Sequence, residues 1–255
     1  MSRISEAFNN KKAFIGFLTA GDPYQKMTVE YILEMEKAGA SLIEIGIPFS
    51  DPIAEGPVIQ EANIRALSKG MTTDQVFEIV AEVRKHSNIP LCLMTYLNSV
   101  FHYGYDEFFK KCQETGVDGI IIPDCPYEES KEVSDICYKY DVDLISMIAP
   151  TSKERTLEIA AQAKGFIYLV SSMGVTGMRS NIVTDIEGIV ESIKTVTDTP
   201  VAVGFGINSP AQVKHFGNIA DGVIVGSAIV NLIKEHGDRA HQPLFNYIQT
   251  LIKEL

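Results

Sequence analysis

The chain has no tryptophan, only four cysteines, no cluster of basic residues and no long apolar run. Each absence excludes something. Cys92, Cys112, Cys125 and Cys137 form no C-x-x-C pair and have no histidine at zinc-ligand spacing, so they read as reduced thiols of a cytosolic protein, not as disulfides or metal ligands. Lys and Arg number 22 against 33 Asp and Glu, a formal net charge of −11, and the basic residues are scattered. That balance offers no footprint for nucleic acid or an anionic membrane, so any phosphate must be held by local geometry. No apolar stretch approaches the length of a membrane span, and the opening "MSRISEAFNNKKAF" lacks the apolar centre of a secretory signal. The expected location is the cytoplasm. No strand-like run is followed by a complete G-x-G-x-x-G turn, and no linker or charge block divides the chain.

What is present is a rhythm. After a short amphipathic "SRISEAFNN", apolar runs recur at 13–20, 41–47, 90–96, 119–124, 144–149, 166–171, 200–206 and 222–227, each followed by a polar segment of helical period. Between the runs lie capped helices such as "YDEFFKKCQETG", ending at Gly116, and "SKERTLEIAAQA", with Ser152 at its N-cap. Near-continuous apolar strands separated by helices mean a parallel sheet covered on both faces. Eight such units in 255 residues fit a (β/α)8 TIM barrel with a short extra N-terminal helix, as one domain over 1–255. An open doubly wound sheet is the alternative.

In a barrel the chemistry gathers where strands pass into βα loops. Acids fall there: Asp22 after the first run, Glu44, Asp51 and Glu55 in and after the second, Asp124 after the fourth. Alternation along "SLIEIGI" puts Ile43, Ile45 and Ile47 on one face and Leu42, Glu44 and Gly46 on the other. The isoleucines suit the helix layer, so Glu44 points into the barrel, where desolvation raises its pKa towards that of a neutral-pH acid or base. The alternative is a buried Glu satisfied by backbone or Tyr donors that only orders the barrel. The loop from Pro48 to Gln60 is long enough for a lid, and "SSMGVTG" after the sixth run is a second candidate. Gly204 and Gly206 after the seventh run, and Gly226 and Ser227 after the eighth, supply the glycines and helix start of a barrel phosphate site. Each glycine alone could be no more than a tight turn. No lysine lies within any of these runs or at its C-terminal end, which disfavours a Schiff base, and the five histidines do not converge, which disfavours a metal-dependent aldolase. Phe17, Met94, Tyr96, Ile121, Tyr168 and Phe205 are core residues by default, yet those near the mouth could accept an aromatic ring.

The segments "GFLTAGDP", "IEIGIPFSDPIAEGP", "IIPDCPYEES", "YLVSSMGVTG", "VGFGI" and "VGSAIV" resemble, in order and spacing, the tryptophan synthase α subunit family over nearly the whole chain. The resemblance implies a lyase that cleaves indole-3-glycerol phosphate to indole and glyceraldehyde 3-phosphate. It implies no metal or cofactor, and a partner β subunit in an α2β2 assembly. It implies that Glu44 and Glu55 are the catalytic carboxylates, that Gly177, Gly206, Gly226 and Ser227 surround the phosphate, and that Phe17, Tyr96, Ile121, Tyr168 and Phe205 line the indole pocket. Asp51 and Thr176 are then the loop residues that close the site and communicate with the partner. One position departs: where the family usually carries Asp in a segment A-D-G-P, this chain has Glu55, with a reach longer by about 1.5 Å. Two other readings stay open. One is a weakened barrel that serves mainly as allosteric partner of the β subunit; the other is a different phosphate-binding barrel, such as an isomerase of an aminated sugar phosphate.

Overall fold

In the computed structural model, which describes residues 2–9, 11–150, 152–171 and 185–255, the eight apolar runs close into one parallel barrel in chain order. The strands are β1 (Ala13–Thr19), β2 (Leu42–Gly46), β3 (Leu91–Met94), β4 (Gly119–Ile121), β5 (Asp143–Ile148), β6 (Lys164–Val170), β7 (Val201–Gly204) and β8 (Gly222–Val225). Closure comes from β1 pairing with β8, Ala13 opposite Gly222 and Gly16 opposite Val225.

The expected runs overshoot at the mouth. β3, β4 and β7 end at Met94, Ile121 and Gly204, although their apolar runs continue to 96, 124 and 206. There the backbone leaves the ladder while its side chains stay buried: Tyr96 remains 3% exposed and Ile122 5%. β6 begins two residues earlier than its run, at Lys164, so one lysine does belong to a strand. It is the first residue of β6, at the end of the barrel away from the mouth.

Two side-chain layers sort by alternation. Phe14, Leu18, Ile43, Ile45, Leu91 and Leu93 face the helices, whereas Ala13, Ile15, Leu42, Cys92, Ile121 and Tyr168 fill the interior. The N-terminal helix, Arg3–Ala7, plugs the floor. Its Ile4 is fully buried in the interior cluster, and Phe8 packs on Phe166 with ring centroids 5.7 Å apart. Arg3 and Arg84 both pair with Asp118, at 2.6 and 2.8 Å, and the Leu91 N–H donates to the same carboxylate at 2.8 Å. Helix Tyr105–Thr115 ends at Gly116 in the left-handed conformation, and Ser152 caps helix Lys153–Gln162 by accepting from the Arg155 N–H.

After β2 the loop is shorter than expected. Gly56 serves as N-cap and Pro57 as first residue of helix Pro57–Ser68, so residues 57–60 are helix and the connection ends at Gly56. Proline's fixed φ and missing N–H suit that first helical position.

Candidate active site

Glu44 sits at the third position of β2, opposite Phe17 of β1 and Cys92 of β3. Its two strand neighbours, Ile43 and Ile45, are in the helix-facing layer, and the Glu44 side chain is 1% exposed inside the barrel. Among the described residues Oε1 has no hydrogen-bond partner. Burial therefore pushes the carboxyl up to about 8, with no donor or cation opposing it. At neutral pH it carries a proton in an apolar surround. Burial, with the nearby Glu44 charge second, pushes the Tyr168 phenol well up, so this interior neighbour stays neutral.

Glu55 lies in the loop after β2, half-buried, and is held quite differently. Burial raises its pKa, but the Asn63 amide, donating to Oε2 at 2.6 Å, and the Tyr96 hydroxyl both pull it back. The Tyr96 hydroxyl also accepts the Ala54 N–H at 3.0 Å, and its ring stacks on Phe49 with centroids 5.2 Å apart. Tyr96 thus fastens the loop that carries Glu55. Asp51 and Ile53 in the same loop point outwards, Ile53 74% exposed, and Asp51 accepts a bond from Ser50 Oγ at 2.5 Å.

The other strand-end acids have structural partners. Asp22 is 3% exposed and takes both Arg65 nitrogens, at 2.9 and 2.7 Å. Asp124 accepts the Leu97 N–H at 2.8 Å, closing the first turn of helix Leu97–Tyr103.

Phe17 packs under Ala62 and Val230, and its ring lies where a Cβ on Gly46 would come within 2.7 Å; only glycine fits beside it. Ile121 and Tyr168 belong to the barrel interior, and Phe205 is half-buried just beyond β7. Phe205 and Gly206 both have positive φ, 84° and 79°, an αL-type turn that Ser171 pins by donating Oγ–H to the Phe205 carbonyl at 2.7 Å. Around Gly206 a Cβ would meet nothing within 4 Å, so the turn borders open space. At the next strand end Gly226 is the N-cap of helix Ser227–His236 and Ser227 its exposed first residue; among the described residues no side chain caps its amides. Free helix N–H groups beside an open glycine turn form an anion-binding corner. Gly177 and Thr176 lie outside the described residues.

Asn63 was missed by the sequence reading, which looked for chemistry at strand ends; it sits on a helix. Its signal is an amide at a position that the spacing of Ala62 and Ala66 marks as inward. Thr19 and Thr95, just at or beyond strand ends, also carry buried hydroxyls without partners.

A closed (β/α)8 barrel with an unsatisfied carboxyl in its interior, a second tethered carboxylate above and an anion corner across the mouth belongs to the barrel enzymes. The family profile described as tryptophan synthase alpha chain matches residues 4–253. The chain belongs to that family. It is 47% identical over 240 residues to the tryptophan synthase alpha chain of Lacticaseibacillus casei, covering 94% of this chain and 90% of that one. To the alpha chain of Lactiplantibacillus plantarum it is 49% identical over 237 residues, covering 92% and 90%. Among solved structures, the alpha subunit of Legionella pneumophila superposes with a TM-score of 0.90 at 36% identity, covering 100% of this chain and 98% of that one. A chain from the Pyrococcus furiosus tryptophan synthase α2β2 complex gives 0.88 at 38%, covering 95% and 99%.

Proposed function

We propose that this chain is a carbon–carbon lyase of tryptophan biosynthesis that cleaves indole-3-glycerol phosphate to indole and glyceraldehyde 3-phosphate. The observation that carries the reading is the Glu44 carboxyl, buried, unpaired and pushed up to about 8. Nothing in the packing of the barrel requires such a group, and its burial is costly unless it is used. The retro-aldol needs a proton on indole C3, which protonated Glu44 supplies, giving an indolenine. Glu44, now a carboxylate, then takes the proton of the hydroxyl on the adjacent carbon. The C–C bond breaks, the oxygen becomes the aldehyde carbonyl, and the bond electrons restore the aromatic ring. Positive charge that develops on the ring nitrogen is met by Glu55, whose charged form the Asn63 and Tyr96 donors favour against burial. The two carboxyl groups differ in their surroundings, burial acting alone on Glu44 and opposed by two donors at Glu55, a pattern that suits one to acid and the other to anion.

Phosphate held at Gly206, Gly226 and Ser227, with Gly177, and the indole ring against Phe17, Tyr96, Ile121, Tyr168 and Phe205, would fix the reacting bond between them. Binding energy from both ends is thereby turned into orientation. The whole of 1–255 serves as one barrel domain. The partner is a β subunit in an α2β2 assembly, as in the Pyrococcus furiosus complex. The exposed loop of Asp51 and Ile53 supports a docking role beside the mouth, with Asp51 and Thr176 transmitting closure. Among the described residues no helix is long and apolar enough to cross a membrane, and the cytoplasm is the proposed location. Steady-state indole release from indole-3-glycerol phosphate, with and without a β subunit, tests the reading. Measurable turnover that rises with the partner is expected; β-subunit stimulation with no indole release would overturn it.

A further inference from the structure

We propose that Asn63 is a positioning residue for this reaction: its side-chain amide fixes the Glu55 carboxylate over the mouth and ties it to the barrel frame. The inference rests on the lyase reading and names a residue that the resemblance did not assign.

Glu55 stands on a connection that has left β2 and not yet entered the next helix; Gln60 Nε2 holds its carbonyl at 2.8 Å, but no ladder or helix bond fixes where its side chain goes. Its side chain has three rotatable bonds. Asn63 is the opposite case. It lies in the second turn of helix Pro57–Ser68, 3% exposed, between buried Ala62 and Ala66. That helix is clamped at two further points. Arg65 grips Asp22 of the β1 turn through both nitrogens, and Glu61 pairs with Lys234 of helix Ser227–His236 at 2.6 Å. An amide so deep cannot turn to water for an acceptor, and its Nδ2 meets Glu55 Oε2 at 2.6 Å, the short contact of a charge-assisted bond. A carboxylate has about four acceptor positions, so bonds from Asn63 and Tyr96 leave capacity for an N–H of the substrate. The Asn63 amide thus passes the rigidity of a clamped helix to a loop carboxylate.

Among the described residues, Asn63 and Tyr96 are the two donors that reach the Glu55 carboxylate. From the end of β3, Tyr96 faces it with a phenol pushed up to about 12, hence neutral. On helix Pro57–Ser68 the charges are already paired, Glu61 with Lys234 and Arg65 with Asp22. Asp124, beyond β4, is engaged by the Leu97 N–H. Removing the Asn63 donor therefore leaves burial opposed by Tyr96 alone, and Glu55 should hold its proton to higher pH.

The test uses Asn63→Ala and Asn63→Ser in the full chain with β subunit, kinetics across pH, and 13C-carboxyl NMR of Glu55. The expected result is a kcat lower by about 10-fold to 100-fold, the range of one hydrogen bond to a charged group, with little change in KM. The acid limb of the pH profile should move up with the NMR titration of Glu55. In a Glu55→Ala background, Asn63→Ala should cost nothing further, because its partner is gone. Exchanging lengths, Glu55→Asp with Asn63→Gln, should recover part of what Glu55→Asp alone loses. An unchanged Glu55 titration in both Asn63 variants, or the same kcat loss with Glu55 already removed, would overturn the proposal and leave Asn63 a packing residue. The NMR arm needs no substrate, so failure of the lyase reading shows separately, as absence of indole release by the unaltered chain.

Discussion

Asp118 and Glu44 are carboxyl groups withdrawn from solvent in one barrel, and their surroundings are opposites. At the floor, Asp118 is met by two guanidinium groups and a backbone N–H, every one within 2.8 Å. Near the mouth, Glu44 is 1% exposed and has an oxygen without any partner. Burying a charge is tolerable when it is paired and hydrogen-bonded, which describes Asp118; an unpaired acid keeps its proton instead, which describes Glu44. The same fold therefore spends one end on stability and keeps the other under tension for chemistry.

The largest expected effect lies at the floor. Asp118→Ala leaves Arg84, already pulled down to about 10 by burial, without its counter-charge, and should destabilise the fold by about 3 kcal/mol. Denaturant melts measure it, and kcat at low temperature should stay near that of the parent. A stable Asp118→Ala would erase the contrast. Next comes Glu44→Gln, which keeps size but cannot cycle a proton: kcat should fall by at least ~10²-fold with the fold intact. In the unaltered enzyme kcat should decline as pH rises through about 8, where Glu44 loses the proton destined for C3. Near-parental turnover in Glu44→Gln would remove it from the mechanism.

A smaller effect is expected across the mouth. A Cβ at Gly226 meets the Phe17 ring at an ordinary 3.4 Å, so Gly226→Asp should fold while placing a negative charge against the anion corner. KM should rise by about 10-fold or more with kcat less affected. Inorganic phosphate competing equally well against both forms would place the phosphate elsewhere.

An effect that grows towards alkaline pH sharpens the comparison most. Glu44 has a folded pKa near 8 against an ordinary 4.5, so between those values the unfolded chain has released a proton that the folded chain retains. Stability then falls as pH rises through that window, and the full penalty is present above about 8. Glu44→Gln lacks the penalty. Its melting temperature should exceed that of the parent by roughly ten degrees at pH 9 and converge with it near pH 5. A gap that does not change with pH would mean that Glu44 ionises without cost.

Much of this was legible in residue order. The period-2 alternation of "SLIEIGI" is strict, so the inward side of Glu44 could be read without a structure, and apolar runs separated by capped helices led to the barrel. What escaped was set by tertiary partners. Strand ends were drawn too long at β4 and β7 because the mouth is itself apolar, and burial continues after the ladder has stopped. The positive φ of Phe205 has no sequence signature in a non-glycine residue; a bond from Ser171, distant in the chain, supports it. Asp22 and Asp124 look like Glu44 in sequence, acids at strand ends, and only their partners show that they are occupied. Asn63 could be found only by asking what a buried amide donates to.

The floor plug also constrains the order in which the molecule can be assembled. Arg3 and Asp118 are 115 residues apart, and Phe8 rests on a ring from β6. Residues 3–8 thus precede by far the sequence on which their place depends, and β1 waits longer still for β8. Long-separation contacts of this kind form late because loop closure must come first. Until then β1 and the plug expose apolar side chains with no partner, and such unpaired surface is where a partly folded chain needs protection from aggregation.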